Sequence, residues 1–298
     1  MTGRLPTFLI IGVQKAGTTS IYSYLGQHPQ VYLSRIKETN FFCQEWEQAA
    51  PEVLAKRKHP INTIEDYRQL FAGATDELAI GEASPNCMLY HETAVSRLQR
   101  YAPETKLLAI LRNPVQRAYS EYLMNLRDAV GTQRRSLIEQ LETRADKSHV
   151  LLKGKYYQCL KPFIEAFGPD QVSVFLYDDL RRDAIAFMQQ VYRSIGVDDT
   201  FVPNTSKKAQ QARVPKNESL NQLMRTQNPV RSLASAVLKL VPESTRQLLR
   251  QRLIDFNSQS KAALPLTDEE RQRLQAYYRD DILKLQDLIQ RDLSAWLT

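Results

Sequence analysis

Apolar residues along this chain fall into short uninterrupted runs separated by longer stretches with helical spacing. The runs at 8–11, 31–33, 78–80, 106–112 and 172–177 are rich in Val, Ile, Leu and Phe. Successive bulky apolar residues suit strands of a parallel sheet covered on both faces. Between these runs the spacing predicts helices over 18–27, 91–101, 115–127, 156–167 and 184–195. Residues 44–77 read as charged and mostly helical, and 126–153 as a polar, helix-prone insertion over the active face. Strands alternating with helices predict an α/β fold with a doubly wound parallel sheet flanked by helices, binding ligands beyond the carboxyl ends of its strands. The last third differs: 204–217 is a polar loop, and 219–256 is helical in spacing but broken by Pro229 and Pro242. Within it, 232–241 suits a lid helix or a short amphipathic segment. Thr267 with Glu270 three positions on forms a capping box, which predicts a helix running toward Trp296. The expected organisation is one domain over 1–298, with 1–200 as the nucleotide-binding core and 201–298 as polar loop and packing helices.

The chemistry is concentrated after the first run. Gly12 and Gly17 bracket a loop with P-loop spacing, G-x-x-x-x-G, whose backbone N–H groups face a bound phosphate. The triphosphatase pattern then requires Lys and Ser/Thr, but this chain has Thr18 and Thr19, and the loop's cation is Lys15. A mid-loop Lys lies beside the first phosphate group, where it can neutralise a leaving group. The loop therefore points to a phosphate-bearing donor and away from ATP or GTP hydrolysis. Arg112 ends the fourth run, and Asn113-Pro114 leads into a helix that carries Ser120 two turns on. Arg112 offers a fork of donors and Ser120 a hydroxyl to one anion.

These residues carry a family resemblance. Gly12-Val-Gln-Lys-Ala-Gly-Thr-Thr-Ser20 resembles the 5′-phosphosulfate loop of the sulfotransferases that use 3′-phosphoadenosine 5′-phosphosulfate (PAPS). Leu111-Arg-Asn-Pro-Val-Gln-Arg-Ala-Tyr-Ser-Glu-Tyr122 resembles their 3′-phosphate motif. Lys37-Glu-Thr-Asn-Phe-Phe42 and Gly81-Glu-Ala-Ser-Pro85 are similar to elements of the bacterial and heparan-sulfate branch, as are Gly154-Lys-Tyr156 and the segment 172–180. The resemblance runs with regular spacing from about Phe8 to Val197. It implies a P-loop-type fold, PAPS as donor and the 3′,5′-bisphosphate PAP as product. Donor contacts would come from Lys15, Ala16, Gly17, Thr18, Thr19, Ser20, Arg112 and Ser120, with Tyr156 near the nucleotide. Arg213, and with it Lys207 and Lys208, would lie over the 3′-phosphate. Ala83 stands where related heparan-sulfate enzymes have Lys.

In-line sulfuryl transfer needs a base, charge stabilisation and a good leaving group, and positioning does most of the work. Glu38 is the candidate base, where the resemblance places the branch's catalytic carboxylate. Phe41 and Phe42 are expected to bury it partly and raise its pKa. Lys15 would stabilise the departing phosphate. Glu82 either hydrogen-bonds within the site or is an exposed Glu beside a turn. The acceptor is expected to be a hydroxyl of a carbohydrate or small metabolite. A P-loop kinase or triphosphatase is the alternative, disfavoured by Thr18 and by a weak Walker B candidate at Asp178. A nucleotide-binding module without turnover is the third.

Composition adds limits. Apolar residues make up 43% and charged residues 24%, ordinary for a globular protein. The net charge of +7 suits an anionic donor, and no stacking or groove-reading motif accompanies it, so nucleic acid is not expected as a partner. Three cysteines, Cys43, Cys87 and Cys159, are far apart in sequence, which argues against a disulfide framework and for a reducing compartment. The four histidines are equally scattered, and no metal site is expected. No run approaches the roughly 18 apolar residues of a membrane span, and a cytoplasmic protein is expected.

Overall fold

The computed structural model describes residues 4–55, 59–128, 135–206, 213–215, 258–260 and 265–298. Five strands, β1 (Phe8–Gly12), β2 (Val31–Leu33), β3 (Ala79–Ala83), β4 (Lys106–Leu111) and β5 (Val172–Leu176), form one parallel sheet in the order β2-β3-β1-β4-β5. Every residue of β1 and β3 is buried, as expected for central strands covered on both faces. The order places β1 between β3 and β4, with Phe8 opposite both Gly81 and Lys106. Loops leaving β1, β3 and β4 therefore emerge side by side at the carboxyl edge.

The helices are α1 (Thr18–Leu25), α2 (Pro51–Leu54), α3 (Ile64–Gln69), α4 (His91–Tyr101), α5 (Pro114–Asp128), α6 (Leu137–Arg144), α7 (His149–Leu152), α8 (Tyr156–Phe167), α9 (Tyr177–Arg182), α10 (Ala184–Ile195) and α11 (Asp268–Ile289). Those expected at 91–101, 156–167 and 184–195 have the expected bounds. Their apolar faces supply Ala94 and Leu98, Leu160 and Phe163, and Phe187, Met188 and Val191 to the core.

Three segments differ from expectation. The described residues of 44–77 form only short helical pieces, and the acids at 45 and 47 serve a distant partner. The guanidinium of Arg97, fully buried on α4, donates to Glu45 at 2.6 Å and Glu47 at 2.7 Å and lies 4.5 Å from the centre of the Phe41 ring. A charge this deep requires paired carboxylates, so the chain around 45–47 follows Arg97 rather than a helix axis. β3 continues past Ile80 to Ala83, taking Glu82 inside the sheet. The helix of the capping box forms as predicted, with Thr267 accepting from the Glu270 N–H. It stops at Ile289, where Gln290 turns left-handed. The chain then folds back so that the Trp296 indole donates to Asp178 at 3.2 Å and meets Tyr156 edge-on.

α11 packs on α8, α5 and α6. Its Asp281 accepts from the N–H groups of Tyr157 and Gln158, capping α8 from outside. A short antiparallel pair, Arg213–Pro215 with Ser258–Ser260, runs beside α5. The rest of 207–257, including Lys207, Lys208 and the segment 232–241, lies outside the described residues. Among the described residues no helix is long and apolar enough to cross a membrane.

Candidate functional site

The glycine-bracketed loop joins β1 directly to α1. Gly17 is the residue before the helix and sits at φ 84°, and a Cβ there would fall 2.9 Å from Leu180 and 3.0 Å from the Tyr177 ring. Glycine is thus required twice, for the left-handed turn and for the close approach. Gly12 serves a different purpose: Met88 packs where its Cβ would be. No side chain caps α1, and its first turn, where the Ser20 N–H donates to the Gly17 carbonyl at 2.9 Å, faces the loop as an anion-facing helix start. Lys15 is also left-handed, at φ 73°, and its ammonium rests 3.5 Å from Met124 Sδ of α5.

Arg112 follows β4 and turns toward this loop. It donates through Nη1 to the Lys15 carbonyl at 3.0 Å and lies over the Tyr177 ring at 4.9 Å. Its Nε is buried without a hydrogen-bond partner. Burial holds the guanidinium pKa below the ordinary arginine value, the condition of a cation lacking a full complement of partners. Behind it Tyr156 is fully buried, and its hydroxyl donates to the Arg112 carbonyl at 2.7 Å. Tyr156 therefore touches the backbone of Arg112, and its ring belongs to the core. Asn113 caps α5 by accepting from the N–H groups of Val115 and Gln116, which orients the helix that carries buried Ser120. The strand bearing Arg213 runs beside this same helix. The Arg213 side chain lies outside the described ones.

A charged chain that sequence reading missed underlies the Lys15 loop. Glu121 is paired with fully buried Arg117 at 2.5 Å and with Lys153 at 2.8 Å. Lys153 also donates to Gln14 inside the loop at 2.5 Å. Burial alone would raise the Glu121 pKa, but the charges of Arg117 and Lys153 outweigh it and hold the carboxyl below the usual range. The available signal was the position of Lys153, immediately before the Gly154 motif.

Glu38 lies in the loop after β2, beside β3. Its N–H donates to the Ala83 carbonyl at 2.8 Å, its φ is 64°, and its carboxylate pairs with Lys37 at 2.6 Å. Glu38 is partly buried, as expected. Phe41 and Phe42 turn into the core against Tyr67, and the Glu38 side chain stays 37% exposed. The neighbouring β3–α4 connection is anchored to β1, with Ser84 N–H donating to Ile10 and Met88 N–H to Ile11. The sheet thus brings the Lys15 loop, Arg112 and the Glu38 loop to one edge. Glu82, left open between site and surface, is wholly buried beneath the Glu38 loop. Cys43 and Cys87, distant in sequence, are free thiols with sulfurs 3.6 Å apart.

Known proteins are similar to this chain. A sulfotransferase from Alicyclobacillus acidocaldarius matches 99% of this chain and all of its own, with a TM-score of 0.71 and 27% identity. Human bifunctional heparan sulfate N-deacetylase/N-sulfotransferase 3 is 27% identical over 208 residues, 65% of this chain and 22% of that protein. Rat carbohydrate sulfotransferase 15 is 30% identical over 158 residues, 40% of this chain and 27% of that one. This chain therefore corresponds to about a quarter of each of these curated relatives. The model of the Sulfotransferase family matches residues 6–201, the span holding the five-stranded sheet and the three loops at its carboxyl edge, so the chain belongs to the sulfotransferase family.

Proposed function

We propose that this chain transfers a sulfuryl group from PAPS to a hydroxyl of a carbohydrate or small-molecule acceptor in the cytoplasm, releasing PAP. The observation that carries this reading is the bond from Arg112 Nη1 to the Lys15 carbonyl at 3.0 Å. It joins the two motifs that would hold opposite ends of one adenosine bisphosphate. Names of relatives such as carbohydrate sulfotransferase 15 favour a sugar acceptor.

In this reading Gly17, Thr18, Thr19 and Ser20 hold the 5′-phosphate through N–H and hydroxyl groups, with Ala16 completing the turn, and Arg112 and Ser120 hold the 3′-phosphate. Glu38 takes the acceptor proton while the acceptor oxygen forms its bond to sulfur. The bond from sulfur to the bridging oxygen breaks, and the electron pair leaves on the 5′-phosphate. Lys15 and the helix start stabilise that charge. For this Lys15 leaves its resting contact with Met124, and Glu38 exchanges Lys37 for the acceptor.

Calorimetric titration with PAP, ATP and GTP, with and without magnesium, tests the donor. PAP is expected to bind tightly without magnesium, and neither triphosphate to compete. Lys15→Ala and Arg112→Ala are each expected to weaken PAP binding by about 10- to 100-fold, the value of a charge-assisted contact. Undiminished PAP affinity in both variants overturns the reading.

A further inference from the structure

The loop that carries Glu38 rests on a carboxylate that never meets solvent. Glu82, on β3, is 0% exposed. It accepts from the Thr39 N–H at 3.3 Å, the Thr39 hydroxyl at 2.9 Å, the Tyr67 hydroxyl at 2.8 Å and the Ser84 hydroxyl. The Ser84 oxygen in turn accepts the Asn40 N–H at 2.9 Å. With Glu38 N–H on the Ala83 carbonyl, three consecutive loop residues, 38 to 40, are tied to residues 82 and 83 of β3 and to Ser84 just after it.

The loop needs this support. Glu38 and Asn40 both occupy the left-handed region, at φ 64° and 52°. Each such non-glycine residue is strained and persists only where its surroundings over-determine it. A buried carboxylate is itself unfavourable. Burial pushes the Glu82 carboxyl up, and the hydrogen bonds from Ser84, Tyr67 and Thr39 bring it only part of the way back. An apolar side chain would fill this strand position without that penalty. Four donors converging on one acid instead specify a single loop geometry.

We propose that Glu82 is a positioning residue for sulfuryl transfer, holding residues 38–40 so that the Glu38 carboxylate meets the acceptor hydroxyl in line with the donor. This rests on Glu38 being the base. The groups that donate to Glu82 belong to Thr39, Tyr67 and Ser84, not to the Lys15 loop, so its effect falls on turnover and not on donor binding. Misplacing a catalytic group by about 1 Å costs up to about 100-fold in rate.

The test is steady-state kinetics and PAP calorimetry on Glu82→Gln, Thr39→Val, Thr39→Ser and Glu38→Gln. Glu82→Gln is expected to lower kcat at least about tenfold while the donor KM and PAP affinity stay within about twofold. Thr39→Val, which deletes one of the Glu82 contacts, lowers kcat by a smaller factor, and Thr39→Ser, which keeps the hydroxyl, restores it. Should Glu82→Gln fail to fold, the Thr39 pair decides: equal kcat in Val and Ser variants overturns the proposal. A folded Glu82→Gln enzyme with unchanged kcat overturns it too, as does a parallel loss of kcat and PAP affinity. If Glu38→Gln stays active, the base assignment falls and takes this inference with it. If Glu38→Gln is inactive and Glu82→Gln unimpaired, this inference falls alone.

Discussion

Two buried glutamates underlie the two working loops, and they are stabilised in opposite ways. Glu121, below the donor loop, is held by two cations, Arg117 and Lys153, and its pKa is depressed once their charges outweigh burial. Glu82, below the base loop, is held by three hydroxyls and one N–H, and burial leaves its pKa raised. The contrast suits what each loop handles. A cationic chain beneath Gln14 and Lys15 adds positive potential where an anionic donor would bind. Neutral donors beneath the Glu38 loop fix the geometry of residues 39 and 40 without adding a buried charge.

The largest test of this contrast is Glu121→Gln. It leaves Arg117, fully buried, without its counter-charge, and uncompensated buried charge costs about 3–5 kcal/mol. Urea denaturation is expected to show a loss of that size, against about 1–3 kcal/mol for Glu82→Gln, where only hydrogen bonds to neutral groups change. Equal losses would erase the distinction.

The two sites should also respond to pH with opposite sign. The depressed Glu121 carboxyl contributes stability that is present in full above the ordinary glutamate pKa of about 4.3 and is lost as pH falls through its folded value. The stability advantage of the wild type over Glu121→Gln should therefore shrink in acid. The raised Glu82 carboxyl contributes most below about 4.3, and that contribution is lost as pH rises through its folded value. The advantage over Glu82→Gln should shrink toward neutral pH. Denaturation midpoints of the three proteins across a pH series measure both slopes, and slopes of the same sign contradict the contrast.

The smallest effect sharpens it. Tyr67 holds the Glu82 oxygen that faces away from Thr39, so Tyr67→Phe is expected to cost about 1 kcal/mol of stability. Thermal unfolding measures that loss, which should stay well below that of Glu121→Gln.

The donor half of the site was far more legible in the sequence than the base half. A strand, a turn with glycine at φ 84° and a helix start are contiguous, so 8–20 announces its own geometry. Arg112 likewise takes its place from the end of β4 and the Asn113 cap. The parallel alternation, several helix bounds and the Thr267–Glu270 capping box could be read for the same reason, since propensity and capping act over a few residues. The base loop could be located through Lys37-Glu38 but not understood. Nothing in the local sequence showed that the Phe41 and Phe42 rings pack on Tyr67 in the core. Likewise residues 44–77 read as charged and mostly helical, with nothing to show that the acids at 45 and 47 pair with Arg97.

Local order along the chain thus determined by itself the sheet-forming runs, the anion-facing turn and the cation placed within it, because each depends on neighbours a few bonds away. Tertiary structure alone decided that Glu82 meets Thr39 and Tyr67, that Lys153 reaches Gln14, and that Cys43 lies against Cys87. Those partners lie far apart in sequence, and only the strand order β2-β3-β1-β4-β5 brings them within hydrogen-bond range. In a water-excluding interior each polar group must then find a partner among whatever the sheet has gathered there.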